Sequence, residues 1–412
     1  MTHIEWDPEI DTPATIGVLG GGPIGIEAAL YARFLGYFVV LYDRSRVGKS
    51  LMGWGDRLMN APLGEVVTSL GLAALEAQGN PCSLTDFAAP ASYRQYVEEY
   101  LLPVAKTDLL FESVQFNAPA ISLSRTSCTP THPGSLTRRA EQEFRILADS
   151  QVRGEFTQLV DLVLDCSGHG AARRGLASGG GLAVREAEYR SAMKFGKCDV
   201  LGGERKQFAG RHAILFGQNL EACANACELQ QLAAEEPGTR VTWVVPKAIG
   251  RRGIVFDAPP VSGFEELLQT AQAIGDGTNG NTAAVALGAW GIEALTVNES
   301  GKWLVKLQTT EEETLEVQGD VFINCAAPVT GSSHLASLPA ALQPMQQTAS
   351  DPFPELDGCL TQEPHYYTLG ARSSDAQQGA SIADGVQQIR RVFGAIGGRR
   401  ELDLYSTVRP QA

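Results

Sequence analysis

The residues most able to do chemistry lie close together near the start of the chain. Gly20, Gly22 and Gly25 stand in Gly-x-Gly-x-x-Gly spacing, and Asp43 follows 18 residues after Gly25. Gly20 permits a tight turn, Gly22 lets backbone approach a pyrophosphate with no Cβ in the way, and Gly25 lets a helix lie close on a strand. The free amides of the first helical turn then face the phosphates, and Asp43 can accept from both hydroxyls of a ribose. These roles need particular elements around them. Residues 15–19 are a short apolar run rich in β-formers, a helical segment reaches about Leu35, and a second apolar run, Tyr37–Tyr42, ends at Asp43. Strand, glycine turn, helix, strand and acid follow in the order of a dinucleotide-binding βαβ unit, which a glycine-rich turn alone does not require.

Further along, Arg44 or Arg46 reads either as a phosphate or adenosine-side contact or as a surface arginine. Trp54, in the loop LMGWGDRLMNAPLGE (51–65), reads as a stacking partner for a flat ring or as simple packing. Residues 66–77 and 91–106 show helical spacing. Residues 109–125 alternate like a strand and its turn, and 142–148 read as a strand. The run 159–164 is a strand ending in Asp165-Cys166-Ser167-Gly168, where a small-residue turn lets backbone approach a cofactor. SGGG (178–181) and the loop to about Phe208 read as a crossing between domains.

A second βαβ unit follows: strand 211–216, a turn opened by Gly217, a helix through about Ala234, and strand 240–245. Here the glycine positions hold Gly217, Asn219 and Ala222. Asparagine at the second place puts a Cβ and an amide where backbone should face pyrophosphate. Lys247, Arg251 and Arg252 read equally as partners of a 2′-phosphate, which would favour NADPH, or as a solvated basic edge. The strand at 320–324 ends in Cys325-Ala326-Ala327-Pro328. The last region has a strand at 366–369, the turn Gly370-Ala371-Arg372-Ser373-Ser374, and a helix from about Ser381 with Ile382, Val386, Ile389, Phe393 and Ile396 on one face. Ser381 and Asp384 form a capping pair.

Composition sets outer limits. The chain has 412 residues, enough for two or three domains, with 44% hydrophobic and 19% charged residues, which describes a globular protein. Lys plus Arg is 33 and Asp plus Glu 47, a formal net charge of −14; with no basic run, neither nucleic acid nor an anionic membrane is the expected partner. The acidic start, MTHIEWDPEID, does not read as the n-region of a secretory signal. Glu27, Arg33, Pro23 and the glycines fit 16–42 poorly to a membrane span. The eight cysteines show no disulfide framework and no Cys-x-x-Cys, and their scatter suits a reducing cytoplasm. Cys223 and Cys227, four apart on one helix, read as buried small side chains. The six histidines have no metal-ligand spacing, so no metal is assigned.

The motifs together resemble a known family. VLGGGPIGIEAALYARFLGYFVVLYDR (18–44), the 54–64 loop, YLLPVAK (100–106), LVLDCSGHG (162–170), TRVTWVV (239–245) and YYTLGARSS…GVQQIRRVF (366–393) are similar to two-dinucleotide-fold flavoproteins of the pyridine nucleotide-disulfide oxidoreductase superfamily, and within it to flavin-containing and amino-acid N-hydroxylating monooxygenases. The resemblance implies an α/β chain of two Rossmann-like domains, the second inserted in the first: residues 1–195 and 329–412 would bind FAD and 196–328 NAD(P)H. It implies that Gly20, Gly22, Pro23, Ile24 and Gly25 hold the FAD pyrophosphate and Asp43 the adenosine ribose. Trp54, Gly55 and Arg57 would lie beside the isoalloxazine. Ser167 and Gly168 would form an Ala-Thr-Gly-type turn, and Gly370, Ala371 and Arg372 would sit near the flavin pyrimidine.

The activity so implied is a cytoplasmic FAD-dependent oxidoreductase, most like an NAD(P)H-dependent monooxygenase that oxygenates a small molecule through a flavin hydroperoxide. Two departures strike the NADPH or NADH side: Asn219 and Ala327 replace expected glycines. A flavin dehydrogenase or oxidase without NAD(P)H, and a non-enzymatic flavin-binding protein, therefore stay open. The missing Cys-x-x-Cys speaks against a disulfide reductase of the thioredoxin-reductase type.

Overall fold

A computed structural model of the chain describes residues 6–168, 173–247, 263–278, 280, 282–309, 313–327, 338, 353–373 and 381–407. His169, Gly170, Arg251, Arg252, Pro328 and Ser374 lie outside the described residues. The chain divides into two compact units, one of Met1–Leu51, Ala61–Ala171 and Thr330–Ala412, the other of Met52–Asn60 and Ala172–Val329.

The first unit is organised by a parallel sheet whose strands run in the order Tyr366–Thr368, Leu162–Asp165, Thr15–Leu19, Phe38–Tyr42 and Val114–Gln115. Four of the five residues of Thr15–Leu19 are buried, as a strand covered on both faces requires. Helix Pro23–Phe34 starts with proline at its first position, where no amide bond is lost. It packs along helix Ile382–Ile396, with Tyr31 stacked on Phe393 at 5.1 Å. The capping box of that second helix forms as read, Ser381 and Asp384 each satisfying the other's backbone.

Other elements depart from the periodicity reading in detail. Residues 93–105 are helical, but Tyr96–Leu101 widens into π-helical turns. Pro103 follows and cannot donate to the chain behind it; the Glu99 carbonyl accepts instead from Cys82 Sγ at 3.7 Å. The 109–125 stretch is two short strands, Val114–Gln115 and Ala120–Arg125, on different sheets. The 159–164 run, read as one strand, is divided between Gly154–Val160 and Leu162–Asp165, broken at Asp161, whose carboxylate accepts from the Thr15 amide at 2.6 Å. Ala120–Arg125, Phe144–Ser150 and Gly154–Val160 form a separate antiparallel sheet.

The second unit repeats this plan. Its parallel sheet runs Ala284–Ala289, Arg240–Pro246, His212–Phe216, Val321–Asn324 and Lys194–Phe195, and Gly291–Val297, Trp303–Gln308 and Thr314–Gly319 form its antiparallel sheet. Lys194–Phe195 pairs with Val321–Asn324. The stretch from Arg173 groups with this unit, which starts before the residue 196 that the family resemblance implies. Helices Leu220–Glu235 and Glu265–Gly275 cover one face, around a core that includes Trp243, Phe208 and Phe264. All eight cysteines are free thiols; Cys223 is buried and Cys227 half-buried. Among the described residues no cluster of metal-ligating side chains occurs and no helix is long and apolar enough to cross a membrane.

Candidate functional site

In the first unit the register places Leu19 and Thr368 both opposite Asp165. Parallel strands therefore deliver Gly20, Ser167 and Gly370 to the same carboxyl end of the sheet, where ligands of open α/β sheets bind. The three motif glycines there are glycine for different reasons. Gly20 has φ +102°, and a Cβ on it would stand 2.7 Å from the Cys166 carbonyl oxygen; one on Gly25 would stand 1.8 Å from the Gly20 carbonyl oxygen. Both positions are closed by the protein itself. Gly22 is different: its φ of −80° and ψ of −176° are ordinary extended values, and a Cβ there would meet nothing within 4 Å. No protein atom demands glycine at 22. What the missing side chain leaves is open ground at the start of helix Pro23–Phe34, and no side chain caps that helix end. Its first amides and the positive end of its dipole offer a seat for an anion.

The remaining predicted residues of this unit surround that turn with varied engagements. The Ile24 side chain faces Gly370 and Gly385, within 3.2 and 2.2 Å of where their Cβ atoms would be, so it locks the helix to the C-terminal segment. Asp43 Oδ2 accepts from the Gly21 amide at 2.6 Å, and Oδ1 from the Ser45 amide at 2.7 Å. The carboxylate braces the glycine turn, and Oδ2 keeps a second lone pair for a further donor. Arg44 is exposed. Ser167 turns inward, its amide and hydroxyl bonding Asp165 Oδ1 at 3.0 and 2.5 Å.

Asp165, which in the sequence shows only as the end of a strand, is a hub. Fully buried, its Oδ2 accepts from the Tyr366 hydroxyl at 2.7 Å and from Arg372 Nε at 3.2 Å. Burial first, and then the Asp165 charge, push the Tyr366 hydroxyl well above its ordinary value, so it stays a donor. Arg372 thus spends its guanidinium on Asp165. The Gly370–Arg372 turn is fixed from the helix behind it, Gln388 Oε1 accepting from the Gly370 amide at 2.7 Å. Ala371 sits half-buried within that turn.

Trp54, Gly55 and Arg57 belong to the second unit. Trp54 packs edge-on against Phe264 at 5.4 Å, and Arg57 lies over the same ring at 4.5 Å and donates to the Gly263 carbonyl at 3.0 Å. Lys197 ties this loop down: its buried Nζ donates to the Gly53 carbonyl at 3.1 Å and the Cys198 carbonyl at 2.6 Å, and pairs with Glu228 at 2.6 Å. Replacing Lys197 with methionine leaves Glu228 with its charge unmatched in a buried setting. Chemical denaturation should show a loss of about 3 kcal/mol, partly recovered when Glu228→Gln is added; an unchanged midpoint would show the pair to be dispensable.

The second glycine turn keeps its architecture and loses its opening. Gly217, at φ +135°, passes the Cys325 carbonyl so closely that a Cβ would stand 2.3 Å from its oxygen, as Gly20 passes Cys166. At the next position Asn219 caps helix Leu220–Glu235, its Oδ1 accepting from the Ala222 amide at 3.0 Å. Arg173, absent from the sequence-based site, bonds Glu221 Oε2 at 2.7 Å and the Ala326 carbonyl at 2.8 Å. The Ala327 carbonyl accepts from the Arg174 amide at 2.9 Å. Lys247 lies just past strand Arg240–Pro246, its amide bonded to Ala289.

Two dinucleotide-type folds, the second inserted in the first, define the fold as that of the two-domain FAD/NAD(P)-binding flavoproteins. Solved structures of that class superpose over nearly the whole chain at low identity. Bacillithiol disulfide reductase from Bacillus cereus matches with a TM-score of 0.60 at 13% identity, over 94% of this chain and 100% of its own. The cadaverine monooxygenase DfoA from Erwinia amylovora, solved bound to FAD, gives 0.55 at 13%, over 98% and 97%. Ornithine hydroxylase from Pseudomonas aeruginosa gives 0.53 at 12%, over 97% and 100%. No sequence-family profile and no curated protein sequence matches the chain.

Proposed function

We propose that this protein is an FAD-dependent oxidoreductase acting on a small molecule, with the FAD diphosphate seated on the glycine turn of the first unit. The observation that carries the reading is the open ground at Gly22, a glycine that nothing in the chain itself requires, at an uncapped helix N-terminus. The amides after Gly22 would hold the diphosphate, Asp43 would reach the adenosine ribose, and Ser167, Gly168 and the Gly370–Arg372 turn would line the flavin end. Bound FAD supplies a two-electron carrier; the chain supplies position, orientation and exclusion of water. The Asp165 hub keeps the turns at Ser167 and Gly370 in fixed relation, so a ring placed between them would meet preorganised backbone.

The resemblance to N-hydroxylating and flavin-containing monooxygenases supports oxygen transfer with NAD(P)H as donor. A specific observation favours a second reading, a dehydrogenase or oxidase reduced by its own substrate: the Asn219 cap occupies an amide that a pyridine nucleotide would use. Purified protein should be yellow and release FAD on denaturation. NADPH or NADH added without oxygen should bleach the flavin band under the monooxygenase reading and leave it intact under the second. Colourless protein that takes up no added FAD would end both readings.

A further inference from the structure

We propose that the chain closes its own second nucleotide seat, with Asn219 and Glu221 as the residues that deny pyridine nucleotides and Arg173 as the tie that holds Glu221 in place. The inference deepens the second reading above and rests on it.

Two helix starts of the same design differ in their first turn. Helix Pro23–Phe34 begins at Gly22 with no capping side chain and no acidic residue in its first turn. Helix Leu220–Glu235 begins at Asn219, whose side chain takes the Ala222 amide, and has Glu221 in its first turn. An Asn cap followed by an acid stabilises the helix itself, and it does so by consuming the donor and the dipole a phosphate would need. Glu221 is also fixed. Arg173 grips it at 2.7 Å while anchored on the Ala326 carbonyl, and its carboxylate oxygens lie 3.2 and 3.4 Å from where a Cβ on Gly196 would be. Gly196 follows strand Lys194–Phe195, and its amide bonds the carbonyl of Asn324. The pair therefore stands at the carboxyl end of this sheet, next to the Gly217 turn, the place where such sheets take their ligands.

Among the described residues, Arg173 at this sheet end is neutralised by the chain's own Glu221 carboxylate, and one first-turn amide, that of Ala222, is capped. A diphosphate arriving would meet a fixed negative charge and one fewer donor. Gly217, which shapes the turn, is retained, while the position that would admit the ligand is filled. That pattern separates a fold kept for its architecture from one kept for its ligand.

The test is NADPH and ADP-ribose binding to the full chain by calorimetry, with FAD in excess and flavin content measured on the same samples, so that failure to hold FAD is seen separately. The parent should show no saturable binding up to about millimolar ligand. The variant Asn219→Gly with Glu221→Gln frees the amide and releases Arg173, and should bind at least about tenfold more tightly; Asn219→Ser with Glu221 intact keeps the cap and should stay weak. Should the double variant fail to fold by thermal melting, Glu221→Gln alone is expected to show the same direction. Micromolar binding of NADPH by the parent would overturn the proposal, as would a folded Glu221→Gln variant, alone or with Asn219→Gly, that binds no better than the parent.

Discussion

Replacing Gly22 with alanine should leave the apoprotein as stable as the parent while weakening FAD binding by about a hundredfold, and replacing Gly25 with alanine should do the reverse damage. Gly22 lies at ordinary extended dihedrals, and the added methyl meets no protein atom within 4 Å. The gain from a stiffer unfolded chain is offset by the poorer capping of alanine at this N-cap position, so the unfolding free energy should lie within about 1 kcal/mol of the parent's. A bound diphosphate would feel the methyl at once. It would have to withdraw from the amides of the first turn, and losing a charge-assisted hydrogen bond or two costs about 3 kcal/mol, two decades in affinity.

At Gly25 the Cβ would stand 1.8 Å from the Gly20 carbonyl oxygen. The helix must move off the strand, and overpacking of that kind costs about 1–3 kcal/mol or more. Denaturant titration of the apoproteins, set beside FAD titration, separates the two glycines. If Gly22→Ala binds FAD as tightly as the parent, the diphosphate is not seated there, and the function built on that turn fails with it.

That contrast marks how far the sequence alone reaches. Strand, turn, helix and strand over 15–42 were legible because each element carries its own period and its own terminator, and the second unit was legible by the same signs. The roles of the three glycines were assigned from the motif; only the packing shows that Gly20 and Gly25 face protein while Gly22 faces open ground. Asn219 was visible as a departure, yet its hydrogen bond to Ala222 turns a missing glycine into an active competitor for the helix end. An asparagine followed two residues later by Glu221 is a helix-start signature in its own right, and could have raised that possibility. Arg173 could not be found this way, since it meets Glu221 across 48 positions of chain. The Trp54 loop, which the resemblance implies for the first domain, groups with the second unit for a related reason. Local composition says it is a loop, but Lys197, far along the sequence, binds it to the second unit.

Glu27 is the clearest case of a residue whose meaning lies wholly in long-range packing, and it yields a large pH effect. It sits on helix Pro23–Phe34, two residues past Gly25, buried among Thr68, Tyr96, Tyr100 and Tyr405. The Thr68 hydroxyl donates to it at 2.8 Å. Burial pushes the carboxyl up from 4.5 to about 7, only partly offset by the hydroxyls of Thr68 and Tyr405. The folded protein therefore holds a proton here that the unfolded chain releases. Because the folded value is the higher one, the contribution to stability is fully present below about 4.5 and is lost as pH rises through about 7.

Glu27→Gln keeps the shape and the acceptor for Thr68 and removes the titration. The difference in unfolding free energy between variant and parent should shift in favour of the variant by about 2.5 kcal/mol between about pH 5 and about pH 8. The same charge, once formed, lies on the helix whose start would hold the FAD diphosphate. The parent's FAD affinity should therefore fall over this range more than the variant's does. Unfolding curves of the two proteins that keep a constant separation across the range would show that Glu27 carries its charge in the folded state throughout, and would remove both effects together.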